Sequence, residues 1–103
     1  MENKQIQRIR EMERYLDEGS AAVGNLARAL EEYSLARDGL NRLTAYYESR
    51  QWMRDYEDDC AGKLPAGLKR GVLSQDAVYD LLSEREETLA QLRLLLEAER
   101  NRV

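Results

Sequence analysis

One short stretch of the chain concentrates acidic side chains that could bind a metal ion. Its four carboxylates are Asp55, Glu57, Asp58 and Asp59. On a helix, Asp55 lies beside Asp58 and Asp59, because residues three and four apart share a face, and carboxylate oxygens are ligands for Mg²⁺ or Ca²⁺. The stretch is not an EF-hand loop, since Cys60 replaces the glycine and Ala66 the closing glutamate. The preferred interpretation is a solvated helix end beside two arginines. The alternative is a divalent-metal-binding protein or metal-dependent enzyme that uses Asp55, Asp58 and Asp59.

A basic pair, Lys69 and Arg70, lies just before a predicted helix start at Ser74. Free backbone N–H groups at a helix N-terminus attract anions, so capture of a phosphate or nucleotide is one hypothesis for this pair. The alternative, which we favour, is that Arg70 pairs with a carboxylate such as Asp76 or Asp55. The preceding glycines do not form a phosphate loop, because a leucine stands at the lysine position and no strand precedes the segment.

The residues that most often perform catalysis are missing. The chain has no histidine and one cysteine, Cys60, so cysteine–histidine pairs and Ser–His–Asp triads are excluded, along with the commonest general acid and base. A lone cysteine forms no intrachain disulfide, and it is typical of a packing residue in a reducing compartment. We expect no catalytic residue, no cofactor and no enzymatic activity.

Four aromatic residues lie close together in the sequence: Tyr46, Tyr47, Trp52 and Tyr56. The chain has no phenylalanine, so Tyr46, Trp52 and Tyr56 are predicted to form part of the core. Tyr47 points about 100° away from Tyr46 on a helix. Because tyrosine combines apolar area with a polar group, Tyr47 is the candidate for contact with a partner.

Charge and hydropathy argue against two classes of partner. The net charge is −4 and both signs are interspersed, whereas a nucleic-acid binder presents a basic excess on one face. No apolar run approaches the ~20 residues of a membrane span, and the charged N-terminus lacks the apolar core of a signal peptide. We expect a soluble, cytoplasmic protein that binds neither nucleic acid nor membrane.

The elements that position these residues begin with a long helix over about 6–37. Its apolar residues recur every three or four positions, which places them on one face. They are Ile9, Met12, Leu16, Val23, Leu26, Leu30 and Tyr33. Gly19 and Ser20 interrupt the stripe and predict either a bend or a split; we favour one bent helix because the stripe keeps its phase. Asp38 and Gly39 predict a tight connection after it.

Residues 39–60 form either one kinked helix or two short ones, with Ser49 as a cap of the second. The stretch 60–73 contains three glycines and the only proline, so it is predicted to be the one substantial loop. Leu64 and Leu68 are expected to hold that loop against the core.

The last helix is predicted to start after Ser74, a favourable N-cap, and to run to about Arg100. Its predicted buried face comprises Val78, Leu81, Leu82, Leu89, Leu92, Leu95 and Leu96. A second, thinner apolar stripe lies away from that face and comprises Tyr79, Ala90, Leu94 and Ala98. A helix that is apolar on two sides is either deeply buried or contacts a partner, so self-association through this stripe is a hypothesis beside simple burial.

Together these elements predict an all-α fold, a single domain over 1–103, built as a small helical bundle in which the long first and last helices pair. The most consistent function is a protein-interaction or regulatory module that binds an unknown protein or a second copy of itself, as in a homodimer. The candidate contact residues are Tyr47, Lys69, Arg70, Tyr79 and Leu94.

With the elements located, three stretches carry a resemblance to a known family. They are Ile6-x-x-Ile9-x-x-Met12-Glu13, Leu43-x-x-Tyr46-Tyr47-x-Ser49-x-x-Trp52-x-x-Asp55, and Gly62-Lys63-Leu64-Pro65-x-x-Leu68-Lys69-Arg70-Gly71-Val72-Leu73-Ser74-x-Asp76-x-x-Tyr79-x-Leu81-Leu82. The chain resembles the uncharacterised bacterial domain-of-unknown-function family 4298, and the run from Arg70 to Asp76 is the most specific part. The resemblance implies a helical fold in a bacterial cytosol, and it brings no activity, cofactor or functional residue with it.

Overall fold

The computed structural model describes residues 3–102, and over that range it contains helices and no strand. Helix α1 spans Lys4–Tyr47, α2 spans Arg50–Cys60 and α3 spans Gln75–Arg100, with a 3₁₀ turn at Gly71–Leu73 just before α3. This confirms the predicted all-α fold and its long last helix.

Helix α1 is longer than predicted. It passes through Gly19 and Ser20 without a split, and it continues through Asp38 and Gly39, so the predicted end near Arg37 and the tight connection were wrong. A glycine inside a helix costs only about 1 kcal/mol relative to alanine. At residue 39 the apolar pattern on both sides outweighs that cost, and the helix propagates.

The real break lies at residues 48 and 49. Ser49 has extended backbone angles (φ −97, ψ 162), and its hydroxyl oxygen accepts a hydrogen bond from the backbone N–H of Trp52. The same hydroxyl donates to the carbonyl of Tyr46 at 2.6 Å. The predicted cap is therefore confirmed, and residues 39–47 belong to α1 instead of the middle segment.

The start of the last helix is confirmed in detail. The Ser74 side chain accepts a hydrogen bond from the backbone N–H of Ala77 at 3.3 Å. Asp76 lies in the first turn and Arg100 in the last turn, where each charge opposes the partial charge of that helix end. In the loop before it, Gly62 adopts a positive φ of 72, a conformation that glycine adopts without steric cost.

The chain divides into two compact units, Met1–Asn41 and Arg42–Val103. In the second unit the buried core is Trp52, Leu73 and Val78, and the 3₁₀ turn contacts both α2 and α3. The predicted pairing of the first and last helices and the single domain stay predictions.

Burial of the helix faces differs from the prediction. The aliphatic members of the α1 stripe, from Ile9 to Leu30, are exposed, because the described part of the first unit is α1 alone and one helix cannot bury its own face. On α3, Val78 is buried and Leu82 and Leu92 are half-buried. The other predicted core residues of α3 are exposed, namely Leu81, Leu89, Leu95 and Leu96. The 11-residue α2 and the three-residue turn do not cover a helix of 26 residues.

Candidate functional site

The aromatic residues of the second unit surround one tryptophan. Trp52 is 4% exposed, and its indole N–H donates to the carbonyl oxygen of Val72 at 2.9 Å. Tyr56 stacks on it at 5.2 Å between ring centroids, and Tyr47 meets it edge-on at 5.1 Å. Tyr47 is thus half-buried, less exposed than predicted, and its contact with a partner stays a prediction.

Tyr46 and Asp55 form a polar link between α1 and α2. The Tyr46 hydroxyl donates a hydrogen bond to one carboxylate oxygen of Asp55, and the amide of Gln51 approaches the other at 3.3 Å. The bond to Asp55, helped by burial and by the carboxylate charge, raises the pKa of Tyr46 to about 12. The phenol therefore keeps its proton at neutral pH, and it cannot act there as a general base.

The three carboxylates proposed as metal ligands have separate partners. Asp59 accepts from Arg70 at 2.8 Å, and Lys63 lies 3.9 Å from Asp58, while Asp55 is held by Tyr46. Across residues 3–102, no group of three acidic or cysteine side chains is placed to hold a metal ion. The acidic stretch instead links α2 to the loop that follows it.

Arg70 is committed to an ion pair, although with a different carboxylate from those predicted. Its partner is Asp59, not Asp76 or Asp55. Both side chains of the pair are about one-quarter to one-third exposed (32% and 26%), so solvent screens the attraction in part. Lys69 remains exposed beside it.

Lys69 lies at an open cavity of about 360 Å³ in the second unit. The cavity is lined by Tyr46, Asp55, Leu64, Leu68, Lys69, Arg70, Val72 and Leu73. Leu64 is half-buried and Leu68 is exposed. Of the two leucines predicted to pack the loop against the core, Leu64 therefore contributes more. The exposed side chain of Lys69 lies beside the apolar side chains of this lining.

A second depression of about 260 Å³ lies in the same unit, below the usual size of a small-molecule pocket. Its lining residues are Thr44, Glu48, Leu82, Arg85, Glu86 and Leu89. Its mixture of opposite charges and leucines is typical of a shallow surface between helices.

Helix α3 exposes the thin apolar stripe that the sequence predicted. Tyr79 is 62% and Leu94 is 65% exposed, and Ala90 and Ala98 are exposed as well. These side chains are accessible for a partner, and their role in binding stays a prediction.

The longest exposed apolar surface lies on α1; the sequence predicted the apolar stripe itself, but not that the stripe is exposed. The side chains of Ile9, Met12, Leu16, Val23, Leu26 and Leu30 are between 45% and 68% exposed. We call this surface the α1 seam; it includes Gly19, which lies between Leu16 and Val23, and Tyr33, which follows Leu30. Its spacing alternates strictly between three and four residues, as positions a and d of a heptad repeat do. That alternation was the signal for a helix-pairing surface, because a core-facing helix has a wider and less regular apolar face.

A family model described as "Domain of unknown function (DUF4298)" matches residues 9–94. The match begins at Ile9, the first residue of the α1 seam, and ends at Leu94 on α3. No curated protein and no solved structure matches the chain. Within residues 3–102, no helix has the combined length and hydropathy that crossing a bilayer requires.

Proposed function

The chain belongs to the DUF4298 family, whose function is unknown, and we propose that it is a small helical interaction module of the bacterial cytosol that associates with itself through apolar helix faces. The bacterial origin is inferred from the sequence resemblance. The reducing compartment is inferred from the exposed free thiol of Cys60. The proposed role needs no catalytic residue and no cofactor.

The observation that carries this proposal is the exposure of the α1 seam. Six large aliphatic side chains occupy one helix face, and every one of them is at least 45% exposed. Contiguous exposed apolar surface on a soluble protein is typical of an interaction site, because its burial against a partner is favourable at about 25 cal/mol per Å². Charged residues make up 35% of the chain, yet the exposed positions of the seam are apolar.

The metal-binding alternative gains no support. Asp55, Asp58 and Asp59 are directed to a tyrosine, a lysine and an arginine, and these partners would compete with a divalent cation. An anion bound at Lys69 would be held mainly by the Lys69 ammonium, because the neighbouring Arg70 is paired with Asp59.

The test of self-association is sedimentation of the full chain from low to high micromolar concentration. Three variants probe separate surfaces: Leu26→Glu on the α1 seam, Leu94→Glu on α3, and Leu35→Glu as a control. Leu35 is 80% exposed on α1 but lies off the seam, so its variant introduces the same charge at a position that contacts no partner helix.

We expect the wild type and Leu35→Glu to sediment as an oligomer at high concentration, and at least one of the two face variants to sediment as a monomer. A buried glutamate without a partner opposes association strongly. A wild type that stays monomeric at every concentration would contradict the proposal, and so would an oligomer that neither face variant weakens.

A further inference from the structure

The α1 seam has a spacing that specifies how two copies meet. Positions 9, 16, 23 and 30 form one row and positions 12, 19, 26 and 33 form the other. The rows span about three and a half heptads, and an apolar repeat sustained over about three to four heptads is one indication of a coiled coil. We propose that α1 pairs with α1 of a second copy in antiparallel orientation, with Leu16 of one helix facing Leu26 of the other. This inference rests on the proposed self-association and specifies which residues of the seam meet and in which direction the two helices run.

The two rows are complementary to each other when one helix is reversed. In an antiparallel coiled coil, each residue at heptad position a faces a residue at position d of the other helix. A pairing centred on residue 21 gives every position of the first row a partner in the second row. The facing pairs are Ile9 with Tyr33, Met12 with Leu30, Leu16 with Leu26, and Gly19 with Val23, each formed twice by the two-fold symmetry. A symmetric interface of this kind is closed, so it produces dimers and not filaments.

Gly19 distinguishes this direction from the parallel one. A Cβ atom built on Gly19 meets no other atom within 4 Å, so the seam has an open notch at this position. In a parallel pair, Gly19 would face Gly19 and leave a gap in the interface, which is costly. In the antiparallel pair each notch receives Val23, which is 68% exposed and one helical turn away.

The positions beside the seam allow the helices to approach closely. They are occupied by small residues along the middle of α1, namely Ser20, Ala22, Ala27, Ala29, Ser34 and Ala36. A parallel pair would gain two symmetry-related ion pairs, each between Arg8 of one copy and Glu13 of the other, but exposed ion pairs contribute little.

The experiment uses cysteine cross-linking of the full chain in a Cys60→Ser background, which removes the only native thiol. Met12→Cys and Leu30→Cys proteins are prepared separately, then mixed and oxidised, and the cross-linked peptides are identified by mass spectrometry. A second pair, Leu16→Cys with Leu26→Cys, guards against a folding defect in the first. Met12→Cys mixed with Leu35→Cys is the control, since residue 35 lies off the seam.

We expect disulfide dimers in the mixtures of facing positions, and at most trace amounts in each single variant alone and in the control. Efficient cross-linking of Met12→Cys with itself would overturn the antiparallel direction. A dimer by sedimentation that yields none of these cross-links would overturn the seam as its interface, while the proposed self-association stands. A chain that remains monomeric in sedimentation at every concentration would overturn both proposals.

Discussion

At the scale of single residues, the second unit is organised by aromatic side chains that carry a polar atom. Trp52 combines the most buried ring with a hydrogen bond across 20 residues to Val72. Tyr46 makes a similar link over nine residues to Asp55. Each bond joins segments that are separate in the sequence, so each should contribute measurably to the stability of the unit.

Replacing Trp52 by phenylalanine should lower the free energy of unfolding by about 2 kcal/mol, since the ring loses area and the carbonyl of Val72 loses its donor. Urea unfolding followed by circular dichroism measures this loss. Tyr79→Phe is the matched control: Tyr79 is 62% exposed, and its variant should differ from the wild type by less than about 0.5 kcal/mol. Equal losses in the two variants would show that the Trp52 contacts do not hold the unit together.

The phenol of Tyr46 should lose its proton at a higher pH than an ordinary tyrosine does. Its pKa is raised from 10.0 to about 12 by the hydrogen bond to Asp55, so the folded state keeps the proton that the unfolded chain loses. The stability contributed by this bond is therefore complete below pH 10 and disappears as the pH rises towards 12. Tyrosinate absorbance measured up to high pH should contain a late component that is lost in Tyr46→Phe.

Two further tyrosines also have raised pKa values, Tyr15 through Glu11 and Tyr56 through Cys60, so the assignment needs a second variant. Asp55→Asn removes the charge that opposes ionisation, and it should move one phenol back towards its ordinary pKa. A titration that neither Tyr46→Phe nor Asp55→Asn changes would contradict the link between the two side chains.

At the scale of elements, local signals predicted the starts of α2 and α3 well, but not the end of α1. Ser49 and Ser74 were identified as caps from sequence because a cap needs only a side-chain oxygen and the N–H two or three residues on. The prediction that a helix ends before Gly39 was wrong, since glycine weakens a helix without ending it unless the backbone adopts a left-handed conformation. Gly62 does have a positive φ, and no helix contains it.

The two glycines should respond to alanine in opposite directions. Gly39→Ala should stabilise α1 by about 0.5–1 kcal/mol, because a Cβ at this position meets nothing within 4 Å and alanine restricts the unfolded chain. Gly62→Ala should destabilise by about 1 kcal/mol, since its φ of 72 is unfavourable for a residue with a side chain. Helical ellipticity and urea midpoints measure both; a loss of ellipticity in Gly39→Ala would mean that α1 ends before residue 39.

Partner choice and burial were harder to predict than helix ends. In the sequence, Arg70 has three nearby aspartates that could pair with it: Asp55, Asp59 and Asp76. The conformation of the loop determines that its partner is Asp59. The stripe on α1 raised the same difficulty on a larger scale. Apolar residues every three or four positions indicate a buried face, but they do not say whether the covering surface belongs to the same chain or to another one.

At the scale of the whole molecule, charge and apolar area act in opposite directions. Each chain carries a net charge of −4, so two copies repel each other at long range. In the proposed pair, the positions flanking the middle of the seam are serine and alanine, and no ion pair there favours association. The attraction is therefore almost entirely burial of apolar side chains, which is insensitive to screening.

The oligomer should accordingly survive high salt. Raising sodium chloride to about 1 M reduces the screening length to about 3 Å, which weakens the repulsion between chains and leaves the apolar contacts intact. We expect the dissociation constant measured by sedimentation to stay constant or to fall, and sodium sulfate to lower it further because it strengthens apolar burial. An association held by charged residues, such as Arg8 with Glu13 in a parallel pair, would weaken in both salts. Dissociation by sodium chloride would thus show that ion pairs, and not the α1 seam, hold the copies together.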